Sequence, residues 1–246
     1  MIYVTGDKHG HFEPIEYLCD RFGTTKDDVM IVLGDLGVNY YGGRRDKSRK
    51  KYLASMPITI MAVRGNHERR PSTEWETRRI ENDSVRGTFV VEPGYDSILY
   101  AKDGEMYELN TNEGWKRAFV IGGAYSVDKY HRLAEYEAGN SNMLWFEDEQ
   151  LSPEEMDAVA KNLASYDGVD YILTHTCPLS MEPKDMFLSY VDQSTVDTST
   201  EEFLDRIKDM LEEKNVTYKT WFCGHWHTDR VAPDNFRFMF NGFITI

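Results

Sequence analysis

Ile58-Thr59-Ile60-Met61-Ala62-Val63-Arg64-Gly65-Asn66-His67-Glu68 decides how this chain is read. The apolar run is too short for a helix and is bounded by glycine, so it reads as a buried strand. The turn that follows carries Asn, His and Glu, side chains that bind metals or move protons. The pattern recurs along the chain. Ile2–Thr5 leads into Gly6-Asp7-Lys8-His9-Gly10, Val29–Leu33 into Gly34-Asp35, Val169–Leu173 into Thr174-His175, and Thr220–Cys223 into Gly224-His225-Trp226-His227. Distant segments therefore deliver Asp, Asn and His to strand ends, where they can converge.

The intervening segments supply the rest of the fold. Phe12–Phe22 places Ile15, Leu18, Cys19 and Phe22 on one helical face, and the basic stretch Arg44–Met56 reads as a second helix. A β-α-β-α-β order implies a parallel sheet with right-handed crossovers. The middle of the chain changes character. Thr88–Glu92, Ser97–Ala101, Glu105–Leu109 and Arg117–Gly122 are short strands, and Asp103-Gly104 predicts a hairpin between two of them. Alternation then returns. Ser152-Pro153-Glu154-Glu155 is a capping box with proline at the first helical position, and Ser199-Thr200-Glu201-Glu202 reads as another. Phe236–Phe240 and Phe243–Ile246 read as a closing hairpin. The expected α/β architecture is two packed mixed sheets flanked by helices, within one domain over residues 1–246.

Lysine and arginine total 28 against 42 acids, a net charge of -14. So acidic a surface argues against long nucleic acid or an anionic membrane as partner. Small phosphorylated substrates stay compatible, because bound divalent cations reverse the local potential. Three cysteines without paired spacing do not make a disulfide framework. Cys19 and Cys223 read as core residues, and Cys177 as structural rather than nucleophilic. No apolar run is long enough to span a bilayer, and no signal peptide precedes the first strand. A cytoplasmic protein is the expectation.

The motifs favour metal chemistry. Asp7 and His9 occupy alternate positions on a strand end and so share a face. His225 and His227 form a chelating pair at the same spacing. The two oxygens of Asp35 can serve different ions. Apart from His11 and His131, every histidine lies in one of these motifs.

The order Asp-x-His, Gly-Asp, Gly-Asn-His-Glu, His, Gly-His-x-His, running from Asp7 to His227, resembles the calcineurin-like metallophosphoesterase superfamily. The resemblance implies a four-layered α/β/β/α sandwich with metals at the sheet ends. It implies that Asp7, His9 and His227 hold one metal, that Asp35 bridges, and that Asn66, His175 and His225 hold the other. His67 would not be a ligand but would face the phosphate and its leaving group. The implied cofactors are two divalent or trivalent ions, with manganese, iron or zinc suited to this donor set. Two such ions clamp the phosphoryl oxygens while a water or hydroxide between them attacks in line. Arg64 and Arg69 flank the central motif and, with His131, are candidate substrate contacts. Gly122–Asn142 and Thr176–Thr198 are long segments suited to substrate selection. One departure stands out. Protein phosphatases of the superfamily carry an aspartate three residues after the bridging one, where this chain has Val38 followed by Asn39. The leading activity is a phosphomonoesterase acting on a phosphopeptide or a small phosphorylated molecule. The runner-up is a phosphodiesterase acting on a small cyclic nucleotide, a dinucleotide or a nucleic-acid end. A non-catalytic binding module ranks last, since every ligand position is filled.

Overall fold

A computed structural model describes residues 1–246. β1 (Ile2–Thr5), β2 (Val29–Leu33) and β3 (Thr59–Val63) pair in parallel and are joined by α1 (Glu13–Phe22) and α2 (Arg44–Ser55). Thr5 lies opposite Val32, and Leu33 opposite Val63. The three strands therefore end together, and Asp7, Asp35 and Asn66 leave the sheet at one edge. β4 (Glu76–Glu81), β5 (Val85–Val91), β6 (Ile98–Ala101), β7 (Met106–Thr111) and β8 (Gly114–Ile121) follow, then α3 (Lys129–Glu137) and α4 (Pro153–Ala164). The chain closes with β9 (Tyr171–Thr174), α5 (Ser199–Glu213), β10 (Thr220–Cys223), β11 (Arg230–Ala232), β12 (Phe236–Phe238) and β13 (Ile244–Thr245). Parallel pairing sets Ile121 of β8 opposite Thr174 of β9, and Thr174 opposite Cys223 of β10. A second set of strand ends is thus aligned.

All strands hydrogen-bond into a continuous mixed sheet in the order β11-β12-β10-β9-β8-β7-β5-β6-β3-β2-β1-β13, with β4 added on β5. The sheet is curled. Val4, Ile31 and Val63 from one half share an apolar cluster with Val120, Leu173 and Phe222 from the other. Alternate residues of the same strands face outward. Tyr3, Met30, Val32 and Ile60 pack on Ile15, Leu18 and Leu53 of α1 and α2. Phe119, Ile172 and Trp221 pack on Val159 and Leu163 of α4 and on Phe203 and Ile207 of α5. Burial on both faces explains why the parallel strands are continuously apolar rather than alternating.

Several expectations are corrected. The Asp103-Gly104 turn forms, with Gly104 at φ 77°, but β6 and β7 do not pair with each other; both pair with β5. The tight hairpin is instead β7–β8, turning between Thr111 and Gly114. Asp103 serves elsewhere: its carboxylate accepts from Gly122 N–H (2.5 Å) and from Arg64 Nε (2.9 Å). The expected closing hairpin is absent. β12 pairs with β10 and β11, whereas β13 crosses to β1. Glu76–Glu81, too charged to read as a strand, forms β4 by antiparallel pairing with β5. The Ser152 capping box forms: Ser152 Oγ accepts from Glu155 N–H (3.2 Å), and Glu155 accepts in return from Ser152 N–H (2.8 Å). The second box does not. α5 starts one residue early, with Thr198 at the cap position, and Asp197 accepts from Ser199 N–H (3.0 Å). No helix is long and apolar enough to cross a membrane.

Candidate metal centre and its cleft

The two sets of strand ends meet. His9, Asp35, His225 and His227 all adopt left-handed backbone conformations (φ 47°, 48°, 65° and 48°), a strain of roughly 1–3 kcal/mol each for non-glycine residues. Such bends turn side chains off the strand direction and toward a common point. The motif glycines make room for one another's side chains. A Cβ on Gly34 would stand 2.0 Å from Nδ1 of His175, and one on Gly65 would stand 2.0 Å from Oδ1 of Asp35.

The donors gather in two groups that share Asp35. In the first, Nε2 of His227 lies 3.7 Å from Oδ1 of Asp7 and 3.0 Å from Nε2 of His9, which is 3.9 Å from Oδ2 of Asp35. In the second, Nε2 of His175 lies 3.7 Å from Oδ2 of Asp35 and 2.8 Å from Oδ1 of Asn66, which is 3.2 Å from Nδ1 of His225. Asp7, His9 and His227, and likewise Asp7, Asp35 and His175, bring one ligand atom each within 4.8 Å of the others.

The hydrogen bonds around these groups leave lone pairs facing one another, an arrangement that suits a positive centre. Ser126 Oγ donates to Glu149 Oε2 (2.5 Å), so it accepts from Asn66 Nδ2 (2.8 Å) and leaves the Asn66 carbonyl oxygen facing His175. Nδ1–H of His175 donates to the Leu33 carbonyl (2.7 Å). In a neutral ring, Nε2 then presents a lone pair to another lone pair. Burial holds His175 well below the ordinary imidazole range, so an added proton does not resolve the clash. A cation does. Oδ1 of Asp7 is also buried with no hydrogen-bond partner, while Oδ2 accepts from His225 N–H (2.8 Å). Burial raises the Asp7 carboxyl to about 7, and burial with the nearby Asp7 charge raises Asp35. Burial lowers His9 to about 4 and His225 to about 3. Carboxylates that resist ionising and imidazoles that resist protonation suit a bound metal, which reverses the first penalty and needs the second. The residues present therefore fit two metal ions.

The backbone N–H of His67 donates to Oδ1 of Asp35 (2.8 Å), and its ring stands edge-on to His9 with centroids 5.6 Å apart. Burial first, then the Arg132 charge, hold this ring well below its ordinary range. Val38 is buried in the core beside α1 and α2.

His9, Asp35, Asn66, His67, His225 and His227 floor a cleft of about 530 Å³ that also touches Tyr125, Asp128, Arg132, Phe187 and Trp226. Arg64, Arg69 and His131 do not border it. Arg64 is buried, giving its N–H groups to Asp103, Gly122 O (3.2 Å) and Glu149 O (2.6 Å). Arg69 is exposed and lies over Phe146. His131 is exposed on α3, whereas its neighbour Arg132 reaches the cleft, braced by Asp128 (2.7 Å) and the Tyr40 hydroxyl (2.8 Å). The i, i+4 spacing of Asp128 and Arg132 was the available signal. Ser126 and Glu149 gave none, because their only link to the site is through Asn66. Cys177 is fully buried, and burial pushes its thiol well up, as a structural residue requires.

No curated protein matches the chain. The family model for calcineurin-like phosphoesterases matches residues 1–229, a span holding every motif from Asp7 to His227. The chain thus belongs to the calcineurin-like phosphoesterases, metal-dependent hydrolases of phosphoric esters.

Proposed function

We propose that the protein hydrolyses phosphate monoesters at a dinuclear centre. The observation that carries this reading is the pair of donor groups joined at Asp35. Asp7, His9 and His227 would hold one ion and Asn66, His175 and His225 the other, with Asp35 between the two sets. Manganese, iron or zinc suits these oxygen and nitrogen donors. When bound, such ions would supply positive charge against the phosphoryl oxygens and Lewis acidity toward water.

The chain's own residues do the rest. Arg132, the cation bordering the cleft, orients the phosphoryl group, and a dianionic monoester gains more from it than a monoanionic diester. His67 faces the leaving oxygen. There it would hydrogen-bond to the departing oxygen or pass it a proton, which it regains from solvent water. General acid help of this kind is worth roughly 10²–10⁴-fold. Ser126 and Glu149 hold Asn66 in the orientation that presents its carbonyl oxygen. Residues 1–246 act as one domain, and the curled sheet with its outer helices is read as a four-layered α/β/β/α sandwich.

Metal-stripped protein reloaded with manganese, iron or zinc should hydrolyse a chromogenic monoester faster than the matching diester. The cleft volume leaves room for a second ester arm, so diester hydrolysis is the competing reading. A faster diester would establish it, and turnover indifferent to metal would sink both.

A further inference from the structure

The wall of the cleft facing the donor groups comes largely from Thr176–Thr198. This segment folds as three single 3-10 turns, Leu179–Met181, Lys184–Met186 and Gln193–Thr195. It is tied down at several points, two of them ahead of Phe187 in the chain. Ser180 donates to Asp205 through Oγ (2.6 Å) and N–H (3.0 Å), and the Arg230 guanidinium donates to both Asp185 oxygens (2.8 and 2.7 Å). Just beyond the second tie, the Phe187 ring lies nearly parallel to Trp226, with centroids 5.7 Å apart and planes 15° apart. Trp226 sits between His225 and His227, so this aromatic pair starts directly beside the metal centre.

The charges around the cleft are one-sided. Arg132 is the only lysine or arginine that borders the cleft, and Asp128 already pairs with it. Away from the donor groups, the charged residues that remain are Glu182 and Glu201. A second phosphate would find no cation there and would meet carboxyl groups. An uncharged flat group would find aromatic surface and a volume within the roughly 300–1,000 Å³ usual for small-molecule sites.

We propose that the cleft selects monophosphates whose alcohol carries a flat aromatic ring, received against Phe187 and Trp226, and disfavours substrates bearing a second phosphate. This rests on the phosphoesterase reading above. Ring and phosphate together decide affinity: the phosphate goes to the metals and Arg132, and the ring to the Phe187 side.

The test uses metal-loaded full-length protein and two esters matched in leaving-group chemistry, 2-phenylethyl phosphate and ethyl phosphate. Turnover is followed by phosphate release. Affinity is measured separately by calorimetry with the corresponding non-hydrolysable phosphonates. The ring compound should bind about tenfold tighter or better, in line with the discrimination an apolar pocket gives, and Phe187→Ala should bring the ratio close to one. 2-Phenylethyl diphosphate should bind more weakly than the monophosphate. Equal affinity for the two phosphonates, or a ratio unmoved by Phe187→Ala, overturns the ring assignment. Equal or tighter binding of the diphosphate overturns the charge argument. If neither ester turns over while the ring phosphonate keeps its advantage, the monoesterase reading fails and the ring preference stands.

Discussion

The strand-end wall of the cleft and the wall built by Thr176–Thr198 differ in how they are held. Asp7, Asp35, Asn66 and His175 are 0–2% exposed, and each is fixed by a backbone group or, for Asn66, by the buried Ser126 side chain. Across the cleft, Leu188 and Tyr190 are 45% and 81% exposed, and the segment is tied by surface pairs. Chemistry on a phosphoryl group needs donors fixed to fractions of an ångström, so rigid strand ends carry them. Admitting a substrate needs surface of the right character, and loops pinned at a few points supply it.

The sharpest way to break this contrast is at Asp35. Asp35→Asn should lower turnover by about 10²–10³-fold, the usual loss for one preorganised electrostatic group, and should reduce bound metal measured by plasma mass spectrometry. Unchanged metal content and rate would remove the strand-end wall from catalysis. Next is Glu201, on α5 at the edge of the apolar wall. Burial raises its carboxyl from 4.5 to about 7. A carboxyl raised on folding costs nothing below pH 4.5, destabilises progressively between 4.5 and 7, and costs its full amount above. Glu201→Gln should therefore stabilise the fold by about 3 kcal/mol at pH 8 and give no gain at pH 4 in urea titrations. A gain independent of pH would mean the carboxyl ionises freely. Ser126→Ala leaves the Asn66 amide without its acceptor and should weaken metal affinity by about 10–100-fold, read by chelator competition. The smallest effect is expected on the loop side. Arg230→Ala removes an exposed pair with Asp185 and should leave the unfolding midpoint unchanged, whereas a clear drop would show that the segment is part of the stable core.

The same contrast governs how much could be read from residues alone. Asp7 with His9, and His225 with His227, were legible because strand-end pairs two positions apart follow apolar runs. The parallel strands were legible because burial on both faces leaves no polar position. Ser126 was not, since its partner Asn66 lies 60 residues away and no local pattern records the bond. Arg132 fell within the candidate segment Gly122–Asn142 but His131 was preferred as the contact, because α3 buries no residue and leaves periodicity nothing to report. β4 was missed because a charged edge strand is made by its neighbour rather than by its own composition. The turn at Asp103-Gly104 was recognised but its consequence was not. Turn residues specify a local reversal, while β5 captured the strands on both sides.

The unbroken sheet has one more consequence. Asp7, Asp35 and Asn66 leave it on one side of the shared inner cluster, and His175, His225 and His227 on the other. Whatever spans these groups is a clasp across the molecule, and prising the halves apart must first undo it. Amide protons of β2 and β9, deep in the sheet and remote from solvent, should therefore exchange with deuterium more slowly as free metal rises, by a factor that approaches the square of the concentration when both ions must leave.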